Sequence, residues 1–154
     1  MSSLSPAQRR AIDRAKETLV IGAETLLTEA KVSPSRDFGH SQLRNLLAVA
    51  TETESPAAVT NFIRYQMGRD KRDEKGWARL EGGVRLGDRF LDSLRDQPPA
   101  AVGTALASVP DLTDQPLAKQ LATIELIRCF VGFASRYMKY LELQVSDTGE
   151  EDRE

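Results

Sequence analysis

From Leu117 to Val145 apolar side chains recur every three or four residues: Leu117, Leu121, Ile124, Ile127, Val131, Ala134, Met138, Leu141 and Val145. That is the period of one face of an α-helix. The stripe predicts a helix over about Pro116–Val145, a rod roughly 45 Å long at 1.5 Å per residue. A rod with one apolar face must bury it against other elements, and the rest of the chain supplies more helices. No internal repeat and no strand pattern is visible. At 154 residues the chain is large enough for one domain with a real core. The expected fold is all-α, a single-domain bundle of about five to six helices over residues 1–145. An acidic tail over 146–154 has too little apolar surface to offset the cost of ordering, so it is expected to be disordered.

Helix starts and stops divide the chain. Ser5-Pro6 and Ser55-Pro56 each place a capping hydroxyl before a proline, the preferred order at a helix start. A first helix is expected over about Pro6–Lys31, broken by Ser33-Pro34-Ser35. A second, about Ser41–Thr51, buries Leu43, Leu46, Leu47 and Ala50 and leaves Arg44 and Asn45 to one side. The third turns Val59, Phe62, Ile63 and Met67 inward, with Gly68 as its expected terminator. The fourth is expected over about Gly76–Leu94. Its glycines Gly82, Gly83 and Gly87 each cost about 1 kcal/mol relative to alanine in a helix interior, which points to close helix approach, a kink or a break. Pro98-Pro99 should begin a short helix that ends before Pro110. Trp77, Phe62, Ile127 and Val131 are the expected core.

Several functional classes find no support. No apolar stretch approaches the ~20 residues needed to cross a bilayer, and Met1–Lys16 has no apolar signal core. The single cysteine, Cys129, leaves no partner for an internal disulfide and fits a reducing cytoplasm. The single histidine, His40, precedes an expected helix N-cap and reads as solvated or capping. Cys129 lies near Phe130 and Phe133 and reads as a small buried hydrophobe. The glycines match neither a phosphate-binding loop nor a dinucleotide fingerprint, so no cofactor is expected. Asp70, Asp73 and Glu74 alternate with Lys71 and Arg72, an exposed charge run rather than a metal site. Catalysis by this chain alone is not expected.

Charge is unevenly spread. Glu142–Glu154 holds six acids against one base, a local charge of −5, so a net charge of −2 leaves +3 for the body. Asn61–Arg79 holds six bases (Arg64, Arg69, Lys71, Arg72, Lys75, Arg79) against three acids. Such a local excess can hold a polyanion even when the whole chain is acidic. Arg64, Tyr65 and Arg69 lie on one helix, with Arg64 and Arg69 about 140° apart around it. Two readings follow. In one, these cations pair with Asp70, Asp73 and Glu74 on a solvated surface. In the other, guanidinium forks bond phosphate oxygens without reading bases. Arg128, Arg136 and Lys139 lie off the final apolar stripe, as solubilising charge or as a second contact strip.

Three blocks together resemble a known family. His40-Ser41-Gln42-Leu43-Arg44-Asn45-Leu46-Leu47 is similar to the Ser-Gln-(Leu/Ile)-Arg helix start of the small helical subunit of type III CRISPR effector complexes. Arg64-Tyr65-Gln66-Met67-Gly68-Arg69 resembles its aromatic-x-x-Gly/Ala-Arg segment. Phe130–Tyr140 resembles the aromatic and basic final helix of the type III-A member, and the likeness spans roughly residues 35–142. The resemblance implies a non-catalytic, all-helical subunit that stacks into a filament beside the other subunits of the complex. It would contact guide RNA and target RNA through their backbones. By position it assigns RNA contact to Arg44, Arg64, Arg69 and Arg136; Tyr65, Lys71, Arg72 and Lys139 join them from the basic-aromatic reading. The glycine-rich fourth helix, the Pro98-Pro99 and Pro110–Pro116 turns and the acidic tail depart from the family pattern.

Overall fold

The long apolar stripe becomes α5, Pro116–Glu151, and three other helices pack against it. The structure, a computed structural model, describes residues 4–29, 32–35, 37–108 and 116–151, the side chains at 106, 108 and 146–151 excepted. In chain order the helices are α1 (Pro6–Glu29), α2 (His40–Glu52), α3 (Pro56–Asp70), α4 (Leu86–Ser108) and α5. Helices α1, α2 and α4 flank α5, and α3 leans mainly on α2, α4 and the turn that follows it. The all-α expectation holds, with one small exception described below.

Two of the helix starts form as their sequences predict. Ser5 Oγ accepts from the Gln8 N–H at 3.1 Å, and Gln8 Oε1 accepts from the Ser5 N–H at 2.8 Å, a reciprocal capping box. Ser55 Oγ accepts from Ala58 N–H at 3.3 Å, with Pro56 in the first turn. Helix α2 differs: it begins at His40, with Gly39 rather than Ser41 at the N-cap. Its opening donors are met from elsewhere. Gln42 Oε1 takes the Gly39 N–H at 2.7 Å, and Glu142 Oε1, on α5, takes the His40 N–H at 2.7 Å.

The core lies along α5. Ile124, Ile127, Val131, Ala134 and Met138 are buried, as the stripe predicts, while its ends, Leu117 and Val145, are 49% and 48% exposed. Trp77 is buried too, but Phe62 is only half-buried at the edge of the core. Phe38, Trp77 and Phe90 form an edge-to-face cluster, with Trp77 5.0 Å from Phe38 and 5.3 Å from Phe90 between ring centroids. Such pairs add about 0.5–1.5 kcal/mol each beyond their burial.

Four boundaries differ from expectation. Gly68 does not end α3, which continues to Asp70 and tightens into a 3₁₀ turn over Lys71–Asp73, closed by Glu74 at φ 49°. The helix expected over Gly76–Leu94 begins only at Leu86. Ahead of it come a 3₁₀ turn, Gly76–Ala78, and a hairpin of β1 (Leu80–Glu81) and β2 (Val84–Arg85), pairing Leu80 with Arg85 and Glu81 with Val84. Gly82 and Gly83 sit at φ 60° and 80°, as a two-residue hairpin turn with two left-handed positions requires. Gly87 is the close approach: a Cβ there would overlap Met67 Sδ and lie 3.1 Å from the Trp77 carbonyl.

The other two concern helix ends. Pro98-Pro99 lies inside α4 instead of starting a new helix. Prolines there remove backbone donors and crowd the preceding turn, yet Ala101, Val102 and Ala105 are buried beyond them, and α4 lies along α1. That burial holds the helix through the break. Helix α5 runs on past Val145 to Glu151, so the expected disordered tail is helical up to there, and 152–154 fall outside the described residues. Extending a formed helix costs far less than nucleating one.

Ile127→Ala should lower the unfolding free energy by about 2–5 kcal/mol through cavity formation, read from urea melts. Gly83→Ala should cost about 1–2 kcal/mol from the left-handed backbone alone, because a Cβ there meets nothing within 4 Å. Gly83→Asn should restore most of that loss in the same melts, since asparagine tolerates this backbone region.

Candidate nucleic-acid interface

The eight candidate residues all stand on the surface. Arg44 projects from α2, and Arg64, Tyr65 and Arg69 from α3; Lys71 and Arg72 lie on the 3₁₀ turn, Arg136 and Lys139 on α5, and each is exposed. Tyr65 is 65% exposed, so its ring is open to a partner. Their pairing is sparser than a neutralised surface would show. Arg69 Nε meets Asp70 Oδ1 at 3.3 Å and Lys139 Nζ meets Glu142 Oε2 at 3.7 Å. Among the described residues Arg44, Arg64, Lys71, Arg72 and Arg136 form no ion pair and no side-chain hydrogen bond. Asp73 pairs instead with Lys75, at 3.7 Å.

Part of the reason lies in where Asp70 and the distant Asp37 point, since Asp73 and Glu74 are exposed. Asp70 is buried, and its Oδ2 accepts from the Trp77 N–H at 3.2 Å. Asp37 Oδ2 accepts from the Gly76 N–H at 2.8 Å and its Oδ1 from the Ser35 hydroxyl. These carboxylates hold the 71–78 turn against the core, and the cations remain outside. The Ser35 hydroxyl, with the Gly76 N–H next, holds the Asp37 carboxyl below its ordinary value of 3.8.

Two other arginines are committed to structure. Arg79 donates from Nη1 to Ser35 Oγ and from Nη2 to the Ser33 carbonyl, both at 3.0 Å, and its Nε lies 3.1 Å from Glu81 Oε1. Its guanidinium also sits 6.0 Å from the Phe38 ring centre. Arg128 is neither solubilising charge nor a contact strip: Nε donates to the Ala50 carbonyl at 2.7 Å and Nη2 to that of Thr53 at 2.8 Å, capping the end of α2. Their partners are distant in sequence, so no local signal marks these roles.

The candidates do not share one groove. Arg69 lines an opening of about 590 Å³ with Asp37, Gln42, Asp70, Asp73, Lys75 and Gly76. Arg64 borders a different one, about 510 Å³ between α3, α4 and α5, where Asp88, Asp92 and Arg95 also lie. Arg136 lines a third, about 380 Å³ between α1 and α5, with Phe133, Tyr137 and Tyr140. Sequence reading noted the aromatic and basic character of Phe130–Tyr140 but not that Tyr137 and Tyr140, at i and i+3, line one groove with Arg136.

The remaining reactive groups have quiet surroundings. His40 opens α2 and is half-buried, with its backbone N–H held by Glu142. Burial pushes the Cys129 thiol up, against an opposing pull from Lys16, so it stays protonated and weakly nucleophilic near neutrality. Among the described residues no three His, Cys, Asp or Glu side chains gather as metal ligands, and no helix is long and apolar enough to cross a membrane. Comparison with known proteins gave no matching family model, no matching curated protein and no matching solved structure.

The depressed Asp37 carboxyl makes a pH prediction. A lowered folded-state pKa stabilises above the unfolded value, and that stability is lost as pH falls through the folded pKa. Asp37→Ala should therefore unfold at lower urea than wild type at neutral pH. The gap should narrow as pH falls below about 3.8 and level off once wild-type Asp37 has taken up its proton, leaving only what the neutral carboxyl's hydrogen bonds contribute. A gap that stays constant through this acid range would mean that the carboxylate charge contributes nothing.

Proposed function

We propose that this chain is a non-catalytic small subunit of a type III CRISPR ribonucleoprotein. In this reading it stacks with copies of itself and with other subunits, and it contacts the backbones of guide RNA and target RNA. The observation that carries the reading is the set of exposed cations that have no acidic partner among the described residues on α2, α3 and the turn after α3: Arg44, Arg64, Lys71 and Arg72, with Arg69 only partly engaged. Guanidinium and ammonium groups free of protein partners suit phosphate oxygens, and their spread over several elements suits a backbone path rather than one deep site. The resemblance of the His40–Leu47, Arg64–Arg69 and Phe130–Tyr140 blocks supplies the family. Defence against invading nucleic acid in the cytoplasm follows from it, with cleavage left to neighbouring subunits.

A second reading has its own support. Arg64 borders a groove that also holds Asp88, Asp92, Leu91 and Ile127, a mixed lining that suits a protein partner. A helical adaptor without RNA contact would use Arg64 and exposed Tyr65 as anchors.

Charge reversal separates the two. With Arg64→Glu and Arg69→Glu in the assembled complex, target-RNA affinity should fall at every sequence. The slope of log K against log salt should flatten by roughly one unit for each phosphate no longer neutralised. Normal assembly with wild-type RNA binding across salt concentrations would reject the RNA reading. Failure to assemble would move these arginines to a subunit interface.

A further inference from the structure

The groove between α1 and α5 has walls unlike the other two. Val20 and Phe133 give it an apolar lining, Tyr137 and Tyr140 an aromatic one, with Arg136 and Glu24 as its charged members. Resting on the RNA-binding reading above, we propose that this groove receives one unpaired nucleobase of single-stranded RNA, stacked on Tyr140, with the adjoining phosphate held by Arg136.

The geometry favours a flat ligand. The Tyr137 and Tyr140 rings are 5.9 Å apart and inclined by only 32°, closer to a stack than to an edge contact. Tyr140 remains 51% exposed, so its ring is open to a third member. The ring is also braced in advance. Gln144 Nε2 donates to the Tyr140 hydroxyl at 2.7 Å, and the Tyr137 hydroxyl shares a 3.3 Å hydrogen bond with Thr28 Oγ1 on α1. A preset ring loses less freedom on binding than a mobile one. The volume, about 380 Å³, is at the low end for small-ligand pockets, suiting a base better than a helix.

Charge sets the ligand's orientation. Arg136 is exposed without an ion pair among the described residues, and so offers its donors to a phosphate. Lys139 is drawn to Glu142, which itself caps α2, leaving Arg136 as the available cation here. Glu24 would repel a phosphate inside the groove but can accept from the amino groups of a base. Stacking uses a face that every base has, so the site adds affinity without reading sequence. In a duplex those faces are covered. The groove therefore selects unpaired nucleotides, which the backbone contacts on α3 do not.

The test uses the full chain at low salt and a short single-stranded RNA carrying 2-aminopurine, alone and annealed to its complement. Wild type should bind both, and quench the fluorophore further only in the single strand. Tyr140→Ala should weaken single-strand binding by about tenfold and abolish that quenching. Its duplex affinity and salt slope should not change, since no charge is removed. Tyr140→Phe keeps the ring and loses only the Gln144 hydrogen bond, so it should retain the quenching and most of the affinity, which separates stacking from loss of fold. Arg136→Gln should lower the salt slope by about one on the single strand. If Tyr140→Ala quenches and binds as wild type while duplex binding persists, the stacking site is rejected and the backbone reading stands. If wild type binds neither RNA even at low salt, the stacking site is rejected, while the backbone reading is decided by the charge-reversal test in the assembled complex. If Tyr140→Ala changes only the sedimentation of the chain, the groove is an interface between copies, and the proposal is likewise overturned.

Discussion

Both ends of α2 are closed by side chains of α5, and the placement of much of the bundle follows from that clasp. At thirteen residues α2 is marginal as an isolated helix. Glu142 takes the amide of its first residue and Arg128 takes carbonyls at its end. The carboxylate thus meets the positive end of the helix dipole and the guanidinium the negative end. The spacing also matches: Arg128 and Glu142 are about 21 Å apart along α5, against about 20 Å from His40 to Thr53 along α2. A slip of one turn would break both caps at once. The clasp therefore fixes register as well as proximity, and with it the face on which Arg44 stands.

A second constraint acts where α3 ends. The 71–78 turn is held by two carboxylates, Asp37 and Asp70, that bond its backbone amides, and by Trp77 wedged between Phe38 and Phe90. Arg79 then ties the far side of the turn to the Ser33–Ser35 segment. Gly76 belongs to the same arrangement: at φ 55°, its Cβ position would lie 2.5 Å from Asp70 Oδ2. Asp70 so placed keeps one oxygen for Arg69 and gives the other to the turn, and Asp37 gives both of its oxygens to the turn and to Ser35. Lys71 and Arg72 are left facing solvent by the way this turn is built, whatever they bind.

How much of this the sequence discloses depends on the range of the interaction. Helix faces follow from spacing, so the burial of Ile127, Val131 and Met138 was legible, as were the Ser5 and Ser55 caps, whose partners lie three residues away. Gly82-Gly83 was legible in kind but misplaced. Two adjacent glycines are a hairpin signal, and reading them as a flaw in a helix gave weight to the apolar spacing of Trp77, Leu80 and Val84 over local turn chemistry. The α2 caps, the Asp37 and Asp70 bonds to the turn and the Arg79 bridge were not legible, because they join residues distant in sequence or depend on a turn that spacing does not specify. For the candidate site, type and exposure of the residues were accessible. That Arg64, Arg69 and Arg136 border three separate grooves was not.

The arginines show what that division means. Arg79 and Arg128 are committed to carbonyls and caps, and Arg89 donates to the Glu81 carbonyl beside the hairpin. Those positions are needed for the fold, and removing them would unsettle it before any partner is considered. Arg44, Arg64, Arg72 and Arg136 bear no such load among the described residues. Four long, flexible cations without internal partners carry an entropic cost on being fixed, and a single copy can neutralise only a few phosphates. Repetition changes the balance. In a filament the second and later patches bind at the effective concentration set by the first, so weak contacts on separate faces of one subunit add along a single strand. A body with only a small positive excess then suits an assembly better than a free RNA-binding protein: one copy releases readily, and the array holds.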